Sequence, residues 1–513
     1  MRKLLFLFGT GLAVWAGAFA LGPIGDAAAQ TPEAGAPAPA AKRYTIRTDV
    51  TMVTTDVTVV GPEMTDLGKE DLVVYDNGVA HPVTYLSRNQ LPLAIGLLID
   101  TSLSVQPYLP LIQVAAGAAL RSMRPEDTAV LYAFNASPDR RSRLTNDRVE
   151  IAQKISKLQF NMGTDIYSTI SDAARYLQKE APNYRRALIM ISDNYHVTMV
   201  GGFTFGMGMA GSIDMTEQDS SADAARARSL EAAATIHSIR TPSVGADSTG
   251  SVPRIRRIVA DTGGETLDIT GWTSLQAAME EILLKLRKQY TIGFNPTDFG
   301  PDGSYHKLEI KFADPNRCPE CRILARSGYY AGVASPQPAE GGKIKNPKHS
   351  REEADAMIIQ QSIVTAGTYV FTSGFQNTAE DAVANMRQSD LGDIKVRASA
   401  RPTQDAGGKK VMSVDVSIDT DRVKFNRIGD LWGCKLHIGL FYFNEYMNYL
   451  GSEVRILEGQ LSEETYRKTV ESGIVYTGEI PLKVPKQSVK VVVYDENSDR
   501  AGSKLVPWVP PAP

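Results

Sequence analysis

One apolar run constrains this chain more than any other stretch of its sequence. From Leu93 to Ile99 every residue is apolar or glycine, and the run ends abruptly in an Asp-x-Ser-x-Ser sequence. A run of this length without polar alternation indicates a strand that is buried on both faces of a parallel sheet. Ligand sites in open α/β sheets lie just beyond the carboxyl ends of such strands. The acidic and hydroxyl residues that follow the run therefore stand where a ligand site is expected.

Strands and helices alternate downstream of this run. Strands are predicted at 128–134, 187–191, 235–239, 264–269 and 290–294, and helices at 106–123, 147–158, 166–180, 222–234 and 274–288. This alternation predicts an α/β fold over residues 91–330, with a doubly wound, mostly parallel sheet of the Rossmann-like kind. Further strands at 308–312 and 322–330 are expected at one edge of that sheet.

The regions that flank this domain have other patterns. Residues 44–90 show strand-like alternation with an Asn-Gly hairpin turn, which predicts a small β module. Residues 331–349 are rich in Pro, Gly, Lys and Ala and are predicted to form a linker. Residues 350–392 open with a capping box and predict a helical connector. Residues 393–513 are dominated by strands and predict a β-sandwich, without the Cys and Trp pattern of antibody domains.

The amino terminus has the pattern of an export signal. Met1-Arg2-Lys3 is basic, residues 4–21 are mostly apolar, and Ala27-Ala28-Ala29 supplies small residues for cleavage. Residues 1–29 are therefore predicted to be a signal peptide, the alternative being an uncleaved membrane anchor. Residues 30–43 are rich in Ala and Pro and predict a disordered tether. Either way, the body of the protein is expected to be exported and to be periplasmic, on the cell surface or secreted.

Composition and motifs argue against several functions. A net charge of −3 and the lack of a basic, aromatic-interleaved patch give no reason to expect nucleic acid as a partner. None of the six histidines lies in a His-Glu-x-x-His motif, and the chain has no Gly-x-Ser-x-Gly elbow and no Walker-type loop. Enzymatic activity is therefore not expected.

The few cysteines of the chain suggest one covalent link. Cys318 and Cys321 are separated by two residues and precede a predicted strand, whereas a redox pair is expected at the start of a helix. Zinc would need two more ligands of suitable spacing, and none is nearby. A local disulfide in an oxidising compartment is the preferred interpretation, and Cys434 is expected to be a buried thiol.

Oxygen-bearing side chains cluster at the predicted carboxyl edge of the sheet. Asp100, Ser102 and Ser104 share one turn, Thr164 stands just before a predicted helix, and Asp193 follows a predicted strand. Carboxylate and hydroxyl oxygens suit Mg²⁺, Mn²⁺ or Ca²⁺ and not a soft metal. The five residues therefore predict a divalent cation site. The alternative is that they only cap loops and helix ends, as Asp and Ser often do.

Two neighbours of these residues are candidates for the rim of the cation site. Asp165 and His196 carry polar groups close to the predicted ligands in sequence. The default role of Asp165 is nevertheless a carboxylate in the first turn of a helix, and the preferred interpretation of His196 is a solvated loop residue. The segment 196–222 contains an unusual Gly- and Met-rich stretch. It is interpreted either as an adaptable contact surface or as a disordered insertion.

The sequence around this site resembles a von Willebrand factor type A domain. The five predicted ligands match the metal-ion-dependent adhesion site of that family residue by residue. Residues 67–78, 98–102 and 326–330 are also similar to a bacterial, secreted group of von Willebrand factor A-related proteins. The chain departs from the family pattern at Leu103, which is often Gly, and in the segment 196–222.

This resemblance implies a division of roles among the five residues and a function for the site. Ser102, Ser104 and Thr164 would supply hydroxyls, while Asp100 and Asp193 would bind the cation directly or through water. A Mg²⁺-type ion held in this way keeps an open position that an Asp or Glu of a partner protein can fill. The expected function is extracytoplasmic protein binding or adhesion. The alternatives are a structural subunit of a cell-envelope assembly, in which the ion is incidental, and a hydrolase with an unrecognised site.

Overall fold

The computed structural model describes residues 52–508 except 63–66, 89–90, 198–214, 243–249, 270–274, 298–301, 333–346, 370–382, 385 and 388–389. The predicted signal peptide and tether lie outside the described residues. So do most of the predicted linker, much of the predicted helical connector and most of the segment 196–222. No helix in the described part of the chain is long and apolar enough to cross a membrane.

Four strands come before the central domain: β1 (Val53–Val60), β2 (Leu72–Asp76), β3 (Val79–Pro82) and β4 (Tyr85–Arg88). The strands of the central domain are β5 (Leu93–Asp100), β6 (Thr128–Phe134), β7 (Pro138–Arg140), β8 (Arg185–Ser192), β9 (Ala234–Arg240) and β10 (Thr266–Asp268). Its helices are α1 (Leu109–Ser122), α2 (Arg148–Ile155), α3 (Ile166–Glu180), α4 (Met215–Glu231), α5 (Ser251–Asp261) and α6 (Leu275–Lys288).

The central strands form one mixed sheet in the order β10-β9-β8-β5-β6-β7. All neighbouring strands are parallel except β7, which pairs antiparallel with β6 at the edge. Helices cover both faces: Ile95 and Leu97 of β5 share an apolar core with α1, α2 and α6, while Ala94 and Leu98 share another with α3, α4 and α5. The two-sided burial of β5 explains why its sequence has no polar alternation. The predicted α/β fold with a mostly parallel sheet is confirmed.

The start of β5 is fixed by a buried carboxylate. Asp127 is fully buried, and its two oxygens accept backbone hydrogen bonds from Leu93 (2.9 Å) and Arg124 (2.8 Å). The Arg287 guanidinium of α6 pairs with the same carboxylate. A buried carboxylate with this set of partners ties the first residue of β5 to a helix on one face of the sheet.

Four strands follow α6: β11 (Tyr290–Phe294), β12 (Tyr305–Phe312), β13 (Arg322–Ala325) and β14 (Gly328–Tyr330). The sequence places them in or beside the central sheet, and this placement is wrong. They pair instead with the strands that precede β5, in two antiparallel sheets of order β13-β1-β11-β4 and β14-β12-β2-β3. The small β module is therefore built from both flanks of the central domain. Its core joins Val57 and Val74 to Ile292 and Leu308, which explains why residues 44–90 alone cannot complete it.

Local features of the β module follow from its sequence. Asn77 and Gly78 both adopt positive φ (49° and 86°) in the turn between β2 and β3, as a tight hairpin requires. Cys318 and Cys321 are joined by a disulfide bond in the loop between β12 and β13. Cys434, in the carboxyl-terminal region, is a buried free thiol.

The carboxyl-terminal region consists of α7 (Arg351–Thr368), β15 (Val396–Gln404), β16 (Lys410–Ile418), β17 (Asn426–Ile428), β18 (Leu431–Phe443), β19 (Tyr449–Leu461), α8 (Glu463–Ser472), β20 (Ile474–Pro481), β21 (Ser488–Asp495) and β22 (Arg500–Val506). One antiparallel sheet has the order β15-β16-β20. The other has the order β17-β18-β21-β22, with β19 also paired to β18. The two sheets share an apolar core that includes Val414, Leu436 and Val491.

Helix α7 is more than a connector between these regions. Ser350 caps it in the predicted capping box, and Ile358 and Ile363 join the core that α1 forms on the central sheet. On its other side, α7 packs against the sheet that contains β18 and β21. The contact is close, because a side chain at Gly367 would overlap the ring of Phe441. Because α7 packs on both sides, it links the central and carboxyl-terminal regions through a continuous core.

Candidate functional site

Three loops meet at the carboxyl edge of the central sheet. The loop after β5 pairs with the loop before α3, because Ser102 and Asn161 form a β-bridge. The same loop before α3 pairs with the segment after β8: Thr164 and Val197 exchange two backbone hydrogen bonds of 2.9 Å. These backbone contacts bring together the three segments that hold the five predicted cation ligands.

Asp100 ends β5 and is fully buried. One carboxylate oxygen accepts a hydrogen bond from the backbone of Ser102 (2.8 Å), and the other accepts one from the Ser192 hydroxyl (2.6 Å). Asp100 forms no ion pair with any basic side chain that the structure describes. When ionised, Asp100 is therefore accompanied by hydrogen-bond donors and by no cationic side chain of the described residues.

Asp193 adds a second buried carboxylate one residue beyond the neighbouring strand β8. One of its oxygens accepts a hydrogen bond from the backbone of Tyr195 (3.0 Å). Burial, and then the charge of Asp193, raise the pKa of Asp100 to about 7, although hydrogen bonds from Ser102 and Ser192 oppose the increase. The two carboxylates thus repel each other, and a bound cation would relieve both the repulsion and the cost of burial.

The hydroxyl groups predicted as ligands lie on the same loops or on the loop paired with them, and that of Ser102 contacts Asp100. The Ser102 and Ser104 hydroxyls are 3.1 Å apart, with Ser102 buried and Ser104 half-buried. Thr164 is buried in the paired loop. The donor set therefore contains oxygen only, and two carboxylates neutralise a doubly charged ion, so these residues fit a hard divalent cation. No group of three or more His, Cys, Asp or Glu side chains that could hold a metal is found in the described part of the chain, so a cation here depends on the hydroxyls.

A hydroxyl and amide network behind the ligands is not foreseen from the sequence. Ser192 donates to Asp100 and accepts from the backbone of Asn194 (3.0 Å). Asn194 adopts a positive φ of 66°, is fully buried, and bonds through its side chain to Ser238. Ser251, the first residue of α5, donates to the carbonyl of Asn194 (2.9 Å). This network holds the turn that presents Asp193, and the only sequence signal for it is the polar run that ends β8.

The two rim candidates have structural roles. Asp165 is the N-cap of α3, where its carboxylate accepts from the backbone of Ser168 (3.1 Å). His196 is only 2% exposed, so it is not a solvated loop residue. Its Nδ1 accepts from the backbone of Ile166 (3.1 Å), and its ring packs on Tyr167. Burial lowers the pKa of His196, which keeps the ring neutral and able to accept this hydrogen bond.

Exposed apolar side chains lie on the loops that hold the cluster. Leu103 lies between the two serines and is 51% exposed, Met162 lies two residues before Thr164, and Val197 pairs with Thr164. All three are large and solvent-exposed, on the same three loops that hold the polar residues. Scattered exposed apolar residues are ordinary, but three around one polar cluster form a surface suited to protein contact.

Residues 95–196 match the family model of the von Willebrand factor type A domain. The matched segment extends from β5 to the end of the turn after β8 and contains all five predicted ligands. The chain therefore contains a domain of the von Willebrand factor A type. No curated protein matches the chain.

Solved structures similar to part of this chain include an aerotolerance-related membrane protein from Bacteroides fragilis, which is 16% identical; the match covers 38% of this chain and 99% of that one, with a TM-score of 0.29. A von Willebrand factor type A protein from Catenulispora acidiphila is 11% identical over 65% of this chain and 82% of its own, with a TM-score of 0.32. The von Willebrand factor domain of a type V pilus tip protein from Porphyromonas gingivalis is 15% identical. The match covers 39% of this chain and 96% of that one, with a TM-score of 0.29.

Proposed function

We propose that this chain is an extracytoplasmic protein-binding module that uses a divalent cation to bind an acidic side chain of a partner protein. The ion, Mg²⁺ or the similar Mn²⁺ or Ca²⁺, would be held by Asp100, Ser102, Ser104, Thr164 and Asp193. The bound cation supplies a positive charge with an exchangeable water position, which a carboxylate can occupy. The residues of the chain orient that ion and surround it with an apolar rim.

The observation that supports the cation most strongly is the pair of buried carboxylates beside hydroxyl groups. Two buried carboxylates cost free energy unless a positive charge accompanies them. Asp100 has no basic partner among the described side chains, and the charge of Asp193 makes its ionised form still less favourable. A cation between the two would offset this cost, and the serine hydroxyls add ligand oxygens without adding charge.

The apolar rim supports a protein as the partner. A free carboxylic acid or a water molecule would gain nothing from Leu103, Met162 and Val197, whereas a polypeptide surface would bury them. Burying the exposed parts of these three side chains removes apolar surface from water, which favours association. We therefore expect a partner that presents an Asp or Glu next to apolar side chains.

The proposed location outside the cytoplasm is supported by the amino-terminal sequence pattern and by the Cys318–Cys321 disulfide. Disulfide bonds persist in oxidising compartments and are rare in reducing ones. An exported module with an exposed cation site could engage proteins of the cell envelope or of the surroundings.

The cation site is tested by isothermal titration of the protein with Mg²⁺ and Mn²⁺. We expect one site in the wild type and loss of binding in Asp100→Asn and in Ser102→Ala. Asp139→Asn is the matched control, because it removes an exposed carboxylate that pairs with Arg141 elsewhere in the domain. Unchanged binding in both site variants would refute the proposed ligand set.

The partner is tested by affinity capture from envelope extracts. Proteins that bind through the cation should be retained with Mg²⁺, released by EDTA, and absent from an Asp100→Asn column. Replacement of Leu103 by Ser should weaken capture while cation affinity is unchanged, because Leu103 supplies no ligand side chain. Partners that persist on all columns in EDTA would instead favour a structural subunit whose ion is incidental.

A further inference from the structure

A polar cavity lies at the opposite edge of the central sheet from the candidate cation site. It has a volume of about 40 Å³ and lies near the amino ends of β8 and β9, where Arg185 and Thr235 line it. Strands of the β module close it from the other side with Thr55 and Asp56 of β1, and Arg326, just after β13, also lines it. The cavity is therefore built by two parts of the fold that meet here.

Two of the residues that line this cavity carry a buried side-chain atom with no hydrogen-bond partner in the described part of the chain. The Thr55 hydroxyl is buried, with the residue only 4% exposed, and its oxygen contacts no donor or acceptor in the described chain. The Nε of Arg326 is likewise buried and unpartnered, although another nitrogen of the same guanidinium donates to the carbonyl of Thr54 (2.7 Å). Buried polar groups without partners are rare in folded proteins, and each one costs free energy.

The charges around the cavity leave an excess of positive charge. Two guanidinium groups line it, those of Arg185 and Arg326. Arg185 is buried, and its hydrogen bonds include those to the Gln289 side chain (3.2 Å) and the Leu286 carbonyl (2.7 Å). Arg326 forms no ion pair within the described residues. Among the described lining residues, Asp56 is the one with a carboxylate, and its oxygen also accepts a hydrogen bond from the Thr291 hydroxyl (2.7 Å).

Burial makes these positive charges costly. It lowers the pKa of Arg326 to about 10 and also lowers the pKa of Arg185, although Asp56 partly opposes both effects. At neutral pH both guanidinium groups are still charged. A water molecule in the cavity could satisfy the free donors but could not balance the charge, whereas an anion could do both.

We propose that the cavity bordered by Thr55, Arg185 and Arg326 binds a small oxyanion, a carboxylate or a phosphate group. The Arg326 Nε and the Thr55 hydroxyl would donate to its oxygens. The size is suitable, because a buried water occupies about 10–15 Å³ of such a volume, so the cavity has room for roughly three waters or one small oxyanion. The anion would bridge the β module and the central domain, and it is independent of the cation proposed at the other edge.

The test is titration of the full chain with inorganic phosphate and, separately, with acetate, at an ionic strength held constant with NaCl. We expect binding of at least one of the two anions and a higher melting temperature in its presence. The comparison between phosphate and acetate identifies which oxyanion the cavity prefers. Chloride at the same ionic strength should give no such increase.

Two variants locate the binding. Arg326→Gln should weaken anion affinity about tenfold or more, since it removes a charged donor. Thr55→Val should weaken it several-fold yet fold normally, because the hydroxyl it removes has no partner to lose. Asp100→Asn should retain anion binding, which separates this proposal from the cation site. The absence of anion binding in the wild type, or equal affinities in all variants, would overturn the proposal and leave a cavity that holds water only.

Discussion

Replacement of Asp100 by Asn should change how the stability of the ion-free protein depends on pH. Burial and the charge of Asp193 raise the pKa of Asp100 from its ordinary value of 3.8 to about 7. A pKa difference of one corresponds to about 1.4 kcal/mol. The folded environment therefore disfavours the ionised form of Asp100, relative to the protonated form, by about 4 kcal/mol.

The sign follows from proton linkage. Between about pH 4 and pH 7 the folded protein holds a proton on Asp100 that the unfolded chain releases, so the stabilisation present at low pH is lost as the pH rises through about 7. The Asn variant is neutral at every pH and avoids that loss. Asn has one acceptor oxygen instead of two, so it also loses one of the hydrogen bonds from Ser102 and Ser192, at about 1 kcal/mol. In EDTA at about pH 8, the variant should therefore be about 2–3 kcal/mol more stable than the wild type.

A divalent cation should reverse this order. Because a cation in the proposed site would bind the ionised carboxylate, Mg²⁺ should stabilise the wild type strongly at about pH 8 and weakly at about pH 5. The Asp100→Asn variant should gain little from Mg²⁺ at either pH. The wild type should thus be the less stable protein in EDTA and should regain stability when the ion is added.

The measurement is urea-induced unfolding of both proteins at the two pH values, with EDTA or with saturating Mg²⁺, followed by fluorescence and circular dichroism. Asp139→Asn serves as the control, because its carboxylate is exposed and should not change the pH dependence. The reasoning is refuted if the wild type and Asp100→Asn lose stability in parallel as the pH rises. It is also refuted if Mg²⁺ stabilises them equally.

Other predictions concern the framework of the site. Asp127→Ala should lower the free energy of unfolding by about 3–5 kcal/mol in urea titrations, because it leaves the largely buried Arg287 guanidinium without its partner, while Asp139→Ala should change it by less than about 1 kcal/mol. Ser350→Ala should cost about 1 kcal/mol by calorimetry, since it removes the N-cap of α7. Replacing Cys318 and Cys321 together by Ser should cost about 2 kcal/mol or less, because the disulfide closes a very short loop; a larger loss in thermal melts would contradict this.

The central sheet could be predicted from sequence because its signals are local. The apolar run of β5 reflects burial on two faces, and α3 begins and ends where the sequence predicts it. The sequence does not predict helix α5. Its residues 251–261 include a proline and several arginines, and its start at Ser251 carries no capping pattern. Where such a pattern is present, at Ser350, the predicted start of α7 is correct.

The pairing of the β module could not be predicted because it depends on strands far apart in the chain. Alternation in β12 shows that one face is buried, but not which strand lies beside it. The register of Val57 with Tyr290 and Ala325 joins segments from both flanks of the central domain and is set by tertiary packing. Local patterns carry no information on that encounter.

For the candidate site, the sequence indicates which residues reach the carboxyl edge but not which way each side chain points. Asp100 and Asp193 are buried at that edge, as strand ends should be. His196 is close to Asp193 in sequence, yet its ring is buried and accepts a hydrogen bond from the backbone at the start of α3. The role of Ser192 also depends on orientation, because its hydroxyl reaches across to a neighbouring strand.

The two proposed binding sites occupy the two ends of one strand. Arg185 begins β8 and lines the oxyanion cavity, whereas Ser192 ends it and holds Asp100. A strand rises about 3.3 Å per residue, so the two ends are separated by roughly 25 Å of fully buried, hydrogen-bonded backbone. Charges at that distance interact weakly in water, and β8 is held on both sides by parallel neighbours, which resist a shift along its axis. The cation edge can therefore be free to meet a partner while an anion at the other edge stabilises the junction with the β module.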